Sequence, residues 1–148
     1  MIRIPRLSLS LILVLGCLYV NSQTAFPKII TFKNGGSATI YQPQPESFEG
    51  NIITSRSAIS VKELATSEPV FGAIFYKAFI STDKGTRTAL IDSITITNAK
   101  FTGVDNQAKI DKLVAIIETE VPKWEMEISI DALVATIRRD YPNAEIYN

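Results

Sequence analysis

Near residue 105 the spacing of apolar residues changes from about two to about 3.6, and few folds accommodate that order. Before it, β-branched and aromatic residues come in runs separated by turn signals. After it, Ile110, Leu113, Val114, Ile117 and Val121 share one helical face, with Lys109, Asp111, Lys112 and Glu118 opposite. Asp105 or Asn106 is the expected N-cap and Pro122 the expected stop. Trp124, Met126 and Ile128 then alternate with Glu125 and Glu127, which predicts a short edge strand with its apolar face inward. Ser129 caps a second helix whose Ile130, Leu133, Val134 and Ile137 share a face, and Tyr141-Pro142-Asn143 reads as linker.

Upstream, residues 28–32 and 37–42 flank Asn34-Gly35-Gly36, whose Asn-Gly pair accepts the positive φ of a tight hairpin. Residues 51–61 form a third run. Residues 70–82 and 86–102 make a long hairpin about Asp83-Lys84-Gly85. In its second arm Leu90, Ile94 and Ile96 fall on one parity, and Ala89, Ile91, Ala99 and Phe101 on the other. Strict alternation fails, which predicts helices on one face of the sheet and a further apolar contact on the other. The expected fold is α+β, a largely antiparallel sheet of about five or six strands with two C-terminal amphipathic helices. Residues 23–140 form a single domain on this reading, and residues 141–148 are a linker or the start of a further region.

The N-terminus carries an address. Arg3 and Arg6 precede a run of fourteen mostly apolar residues, Leu7 to Val20, shorter than the roughly 20 needed to span a bilayer. Val20-Asn21-Ser22 places a small residue before a cleavage point, so residues 1–22 read as a signal peptide, with Gln23 the first mature residue. Export to the periplasm or the exterior is the expectation. Cys17, after Val14-Leu15-Gly16, offers an alternative: a lipobox-like cysteine whose acylation would anchor the protein to a membrane. Without acylation of Cys17 no membrane association is expected.

Cleavage after Ser22 would leave 126 residues of the 148, enough for one core. The whole chain has 15 basic and 15 acidic residues; loss of Arg3 and Arg6 makes the net charge −2. No basic excess supports phosphate contacts, so a nucleic-acid partner is not expected. The chain has no histidine, and its one cysteine is Cys17. Ser-His-Asp and Cys-His catalysis, a His-ligated zinc and an internal disulfide are therefore excluded. No cofactor is implied, and Asp83-Lys84-Gly85 lacks the further acidic ligands of a calcium loop.

Tyr41-Gln42-Pro43-Gln44-Pro45-Glu46-Ser47-Phe48 is the most suggestive stretch for binding. Alternating prolines pre-order the backbone, so that Gln42, Gln44 and Glu46 beside Tyr41 can grip a sugar or a peptide at low entropic cost. The plainer reading is a stiff crossover whose Tyr41 and Phe48 plug the core. Glu125 and Glu127 on one strand face would lie about 7 Å apart at the backbone, a spacing compatible with acid/base work on a glycan, although alternating Glu is ordinarily a solvated face. Ser57 with Lys62, and Ser93 with Lys100, lie in no nucleophile motif.

Several of these segments carry a resemblance: Tyr41-Gln42-Pro43-Gln44-Pro45-Glu46-Ser47, Glu68-Pro69-Val70-Phe71-Gly72, Thr86-Arg87-Thr88 after Asp83, and Glu120-Val121-Pro122-Lys123-Trp124 followed by Ile128-Ser129. From Phe26 to Ile137 the chain resembles the N-terminal region of exported proteins typical of Bacteroidetes, uncharacterised in function and in some cases labelled carbohydrate-binding. The resemblance implies a longer protein with further β-rich sequence, and it brings no catalytic residues. The expectation is an exported, non-catalytic domain binding a glycan, a cell-envelope component or a partner domain. The alternatives are a carboxylate-dependent glycan hydrolase and a structural N-terminal module.

Overall fold

Eight strands and two helices succeed one another in the computed structural model, which describes residues 25–144, 146 and 147. The expected leader, with Cys17, Ser22 and Gln23, lies outside the described residues. The strands are β1 (Lys28–Thr31), β2 (Ser37–Ile40), β3 (Gln44–Glu49), β4 (Ile52–Lys62), β5 (Val70–Asp83), β6 (Thr88–Phe101), β7 (Glu127–Ser129) and β8 (Ile146–Tyr147). The helices are α1 (Gln107–Glu120) and α2 (Ile130–Asp140). The main path of the sheet is β1-β2-β4-β5-β6-β7, with β3 alongside the first half of β4 and β8 beyond it. Every pairing is antiparallel except β3 with β8. The fold is α+β, as the change of period predicts, and β3 and β8 add to the six strands legible in the pattern.

Two one-residue bulges in β6 explain its broken alternation. Tyr76 pairs with Ile96 and Phe75 with Asn98, leaving Thr97 unmatched; Ile80 pairs with Ile91 and Phe79 with Ser93, leaving Asp92 unmatched. Each extra residue reverses the parity of the positions beyond it and bends the strand. The inward series therefore runs Ala89, Ile91, then Ile94, Ile96, then Ala99, Phe101, and all six are core or packed against it. This corrects the expectation of an apolar contact on the second face of β6, because the parity changes while the buried face does not. Both bulged side chains are exposed and tie back to β5: Thr97 Oγ1 donates to the Phe75 carbonyl at 3.1 Å, and Ser81 donates to Asp92.

The bent sheet wraps the helices. One helix, α2, packs against both β3 and β7, which lie on opposite flanks of the β4-β5-β6 centre, so the sheet must curl to bring them together. Ile130, Leu133 and Ile137 form its buried stripe, and Ser129 Oγ accepts from the Ala132 N–H at its N-terminus. α1 lies on β6, capped by Asn106, whose Oδ1 accepts from the Lys109 N–H at 3.1 Å. Its Glu118, expected on the solvent face, is half-buried and accepts from the Ile96 N–H at 2.7 Å beside a bulge. α1 ends at Glu120, just before Pro122, as expected. Pro122 enters the first turn of a 3-10 segment, Val121–Trp124, where its missing N–H leaves no bond unmade. The stretch expected to be linker contributes Tyr141, Ala144 and Ile146 to the packed surface, and Ile146 lies beside Phe48 through the β3–β8 pairing.

Local chemistry sets the corners. Gly35 closes the first hairpin at φ 84°, and Asn34 Nδ2 donates to the Glu63 carbonyl at 3.0 Å. Gly72 faces Phe101 across β6, and a Cβ there would lie 2.3 Å from the Lys100 carbonyl and 2.5 Å from the Phe101 ring. At the other end of the hairpin Arg87, at φ 54°, grips Asp131 in the first turn of α2 with bonds of 2.7, 2.9 and 3.1 Å. Its carbonyl accepts from the Ile130 N–H at 3.0 Å.

These contacts can be tested one at a time. Gly72→Ala should lower stability by about 2 kcal/mol, within the range for overpacking a filled site, read as a reduced urea midpoint with the slope unchanged. The Arg87 guanidinium holds the Asp131 carboxyl below its ordinary value through hydrogen bonds and charge. A depressed carboxylate stabilises the fold above its unfolded pKa and stops doing so as pH falls through the folded one. Asp131→Ala should therefore unfold earlier than the parent at neutral pH, and the difference should shrink toward zero on acidification below about pH 4. A gap that persists at low pH would show that the ion pair is not its source.

Candidate functional site

Curling leaves a space that the helices do not fill. A cavity of about 360 Å³ lies between the sheet and the two helices. Ile53, Ile74, Ala78 and Ile94 belong to its sheet wall, and Ile117, Val121 and Leu133 to its helical wall. Trp124, Met126, Phe26 and Ile40 also line it. Small side chains help to keep it open, among them Ala78 on β5 and Ala132 on α2. The volume falls within the range of about 300–1,000 Å³ usual for small-molecule sites.

The sheet wall carries one polar cluster. Ser55 and Tyr76 are direct partners across β4 and β5, and both line the cavity. Ser57, one step along the same face of β4, shares a 3.2 Å hydrogen bond with the Tyr76 hydroxyl. All three residues are buried. Burial pushes the Tyr76 phenol upward, against the smaller opposing effect of the neighbouring Ser57 and Ser55 hydroxyls, so it stays protonated at neutral pH. Ser57 and Lys62 fall on opposite faces of the regular strand β4 and do not form a nucleophile–base pair.

The four residues expected to bind do not act together, and the last of them sits in a third bulge. Pro45 pairs with Ser55 and Ser47 with Thr54, so Glu46 is the unmatched residue. The bulge lets Phe48 enter the core while Pro45 lines the cavity. Gln42 lies on the cavity rim with Pro43. Gln44 and Glu46 do not line it; Arg56 Nε donates to Gln44 Oε1 at 3.0 Å and lies 3.4 Å from Glu46 Oε1. Tyr41 is 37% exposed, with its hydroxyl 3.4 Å from Ser60 Oγ, also outside the lining. Pro45 is tolerated because β3 is short and pairs with β8 only at Phe48 and Glu49.

The carboxylates also separate. Glu125 takes a left-handed conformation, φ 47°, closing the 3-10 segment, whereas Glu127 opens β7. They are not successive residues of one strand, as their alternation predicts. Glu127 reaches the rim and is the one charged residue in the lining among the described residues. Trp124, expected as core in an edge strand, instead ends the 3-10 turn and is half-buried against the cavity.

Sequence reasoning missed Ser55 and Tyr76, and considered Ser57 only beside Lys62. The signal was present: Ile53, Ser55, Ser57 and Ile59 share a parity, two hydroxyls between two isoleucines on a face destined for the core. A second hollow of about 500 Å³ lies at the opposite end, lined by Phe32, Leu64, Val104 and Ile116 among others. It is more open, and the Glu63–Lys109 ion pair borders it. Among the described residues no three Asp, Glu, Cys or His side chains gather as a metal site, and no helix is long and apolar enough to cross a membrane. No protein-family model, curated protein or solved structure matches this chain.

Proposed function

We propose that this chain is an exported, non-catalytic binding domain whose ligand is a cell-envelope component held in the cavity between sheet and helices. The observation that carries the reading is the half-enclosed apolar space of about 360 Å³ with hydroxyl groups on its sheet wall. Such a space favours a ligand with an apolar body. A free glycan is a poorer fit, because Gln44 and Glu46 are occupied by Arg56 rather than presented beside an exposed ring. Hydrolysis by a carboxylate pair has one member near the cavity, Glu127. The leader-like N-terminus and the resemblance to exported Bacteroidetes proteins support the envelope setting.

The chain's one tryptophan, Trp124, reports on this site directly. Titration of the protein, purified from the envelope of an expressing bacterium, with the apolar dye N-phenyl-1-naphthylamine should change Trp124 emission saturably at one dye per chain. Ala132→Phe, which projects a ring into the cavity from an exposed helix position, should weaken binding about tenfold or more while circular dichroism and the melting curve stay near those of the parent. Absence of saturable binding, or binding indifferent to Ala132→Phe in a folded protein, overturns the reading and leaves the structural-module alternative.

A further inference from the structure

Resting on the cavity reading above, we infer that the ligand is a single-chain amphiphile with an uncharged hydroxyl or carbonyl head, held head-inward against Ser55 and Tyr76. Its apolar body lies along Ile94, Ile117 and Leu133. Size sets the body. At about 30 Å³ for a water-sized group, the cavity holds roughly a dozen such groups, which suits a chain of about ten carbons with its head.

Charge and hydrogen bonding set the head. An ionised head on the sheet wall would need a counter-charge, and the lining offers none there, since its one charged residue, Glu127, sits exposed on the rim. A wholly apolar ligand would cover the Ser55 hydroxyl and the role of the Tyr76 hydroxyl that its bond to Ser57 leaves open without offering either a partner. A neutral oxygen satisfies both limits. The Tyr76 hydroxyl is one donor and an acceptor, and its bond to Ser57 uses one of these roles. Ser55, directly across the strands, adds a second hydroxyl that can donate or accept. The pair can therefore give a hydrogen bond to a carbonyl, or both give and accept with an alcohol. Burial of both residues makes each such bond count for more than it would in water.

Competition against N-phenyl-1-naphthylamine with ligands of equal chain length tests this. Decan-1-ol or decan-2-one should displace the dye at concentrations at least tenfold below those needed for decanoate and for decyltrimethylammonium. Tyr76→Phe and Ser55→Ala should each weaken the neutral ligands by about three- to tenfold relative to the dye affinity measured on the same variant, the loss of one hydrogen bond, while decanoate and decyltrimethylammonium lose no more than the dye does. Ser55→Ala carries the test if Tyr76→Phe, which leaves Ser57 without its partner, fails to fold. Dye binding with neutral and ionic ligands equally effective, with an ionic ligand preferred, or with neutral ligands indifferent to Ser55→Ala, overturns the head-group assignment and leaves the cavity reading standing. Failure of the dye and all four ligands to bind overturns the cavity reading itself.

Discussion

The bend of the β5–β6 hairpin governs everything else in the molecule. Two fourteen-residue strands paired without interruption would form a long twisted ribbon. The unmatched Asp92 and Thr97 divide β6 into three short stretches and turn the ribbon at two places. Each bulge would be ruinous without a matching change in sequence, because a one-residue slip sends every later side chain to the other face. β6 carries that compensation in its pairs Ala89/Ile91, Ile94/Ile96 and Ala99/Phe101. The bulged residues are polar, and hydrogen bonds to β5 hold each in place. Glu46 in β3 obeys the same rule, with Arg56 as its partner.

The helical layer depends on that bend. A flat sheet could not offer β3 and β7 to the same helix, and α2 would leave part of its Ile130-Leu133-Ile137 stripe in water. Burying three such side chains is worth about 1.5–3 kcal/mol each by transfer, enough to make the closed arrangement preferable to an open sheet. The connections at the rim are polar and exposed, as in the grip of Arg87 on Asp131, and contribute orientation more than strength. The apolar stripe thus holds α2, and the ion pair selects where its N-terminus sits.

Legibility in the sequence depends on the range of the interactions involved. The α1 and α2 stripes, the Asn106 and Ser129 caps and the Asn34-Gly35 turn are set by residues a few positions apart, and the pattern predicts them. The bulges are not local in that sense. A break in alternation is equally compatible with a second apolar layer and with a parity switch, and pairing with β5 decides between them. The same limit hides β3. Pro45 within it and Pro43 just before it argue against a strand, and β4 and β8 recruit it through pairings across the fold. Of Tyr41, Gln42, Gln44 and Glu46, only Gln42 lines the cavity; Arg56 engages Gln44 and Glu46, and Tyr41 lies against Ser60.

Ser55 and Ser57 sit where bend, core and cavity meet. They occupy a central strand, flanked by Ile53 and Ile59, in a column where larger aliphatic side chains would bury more apolar area and fill the space in front of them. Stability alone favours filling it, since a void deprives its lining of contacts on one side. Hydroxyls there forgo that gain and must also find partners, which Ser57 does in Tyr76. Small polar residues at the centre of a curled sheet therefore do two things that an isoleucine cannot. Ser55 leaves room and with Tyr76 supplies the buried polar side chains along the sheet wall of that room, while Ser57 holds the Tyr76 hydroxyl. A departure from the most stable choice, placed where the bend opens a cavity, is what the proposed binding role requires of a core.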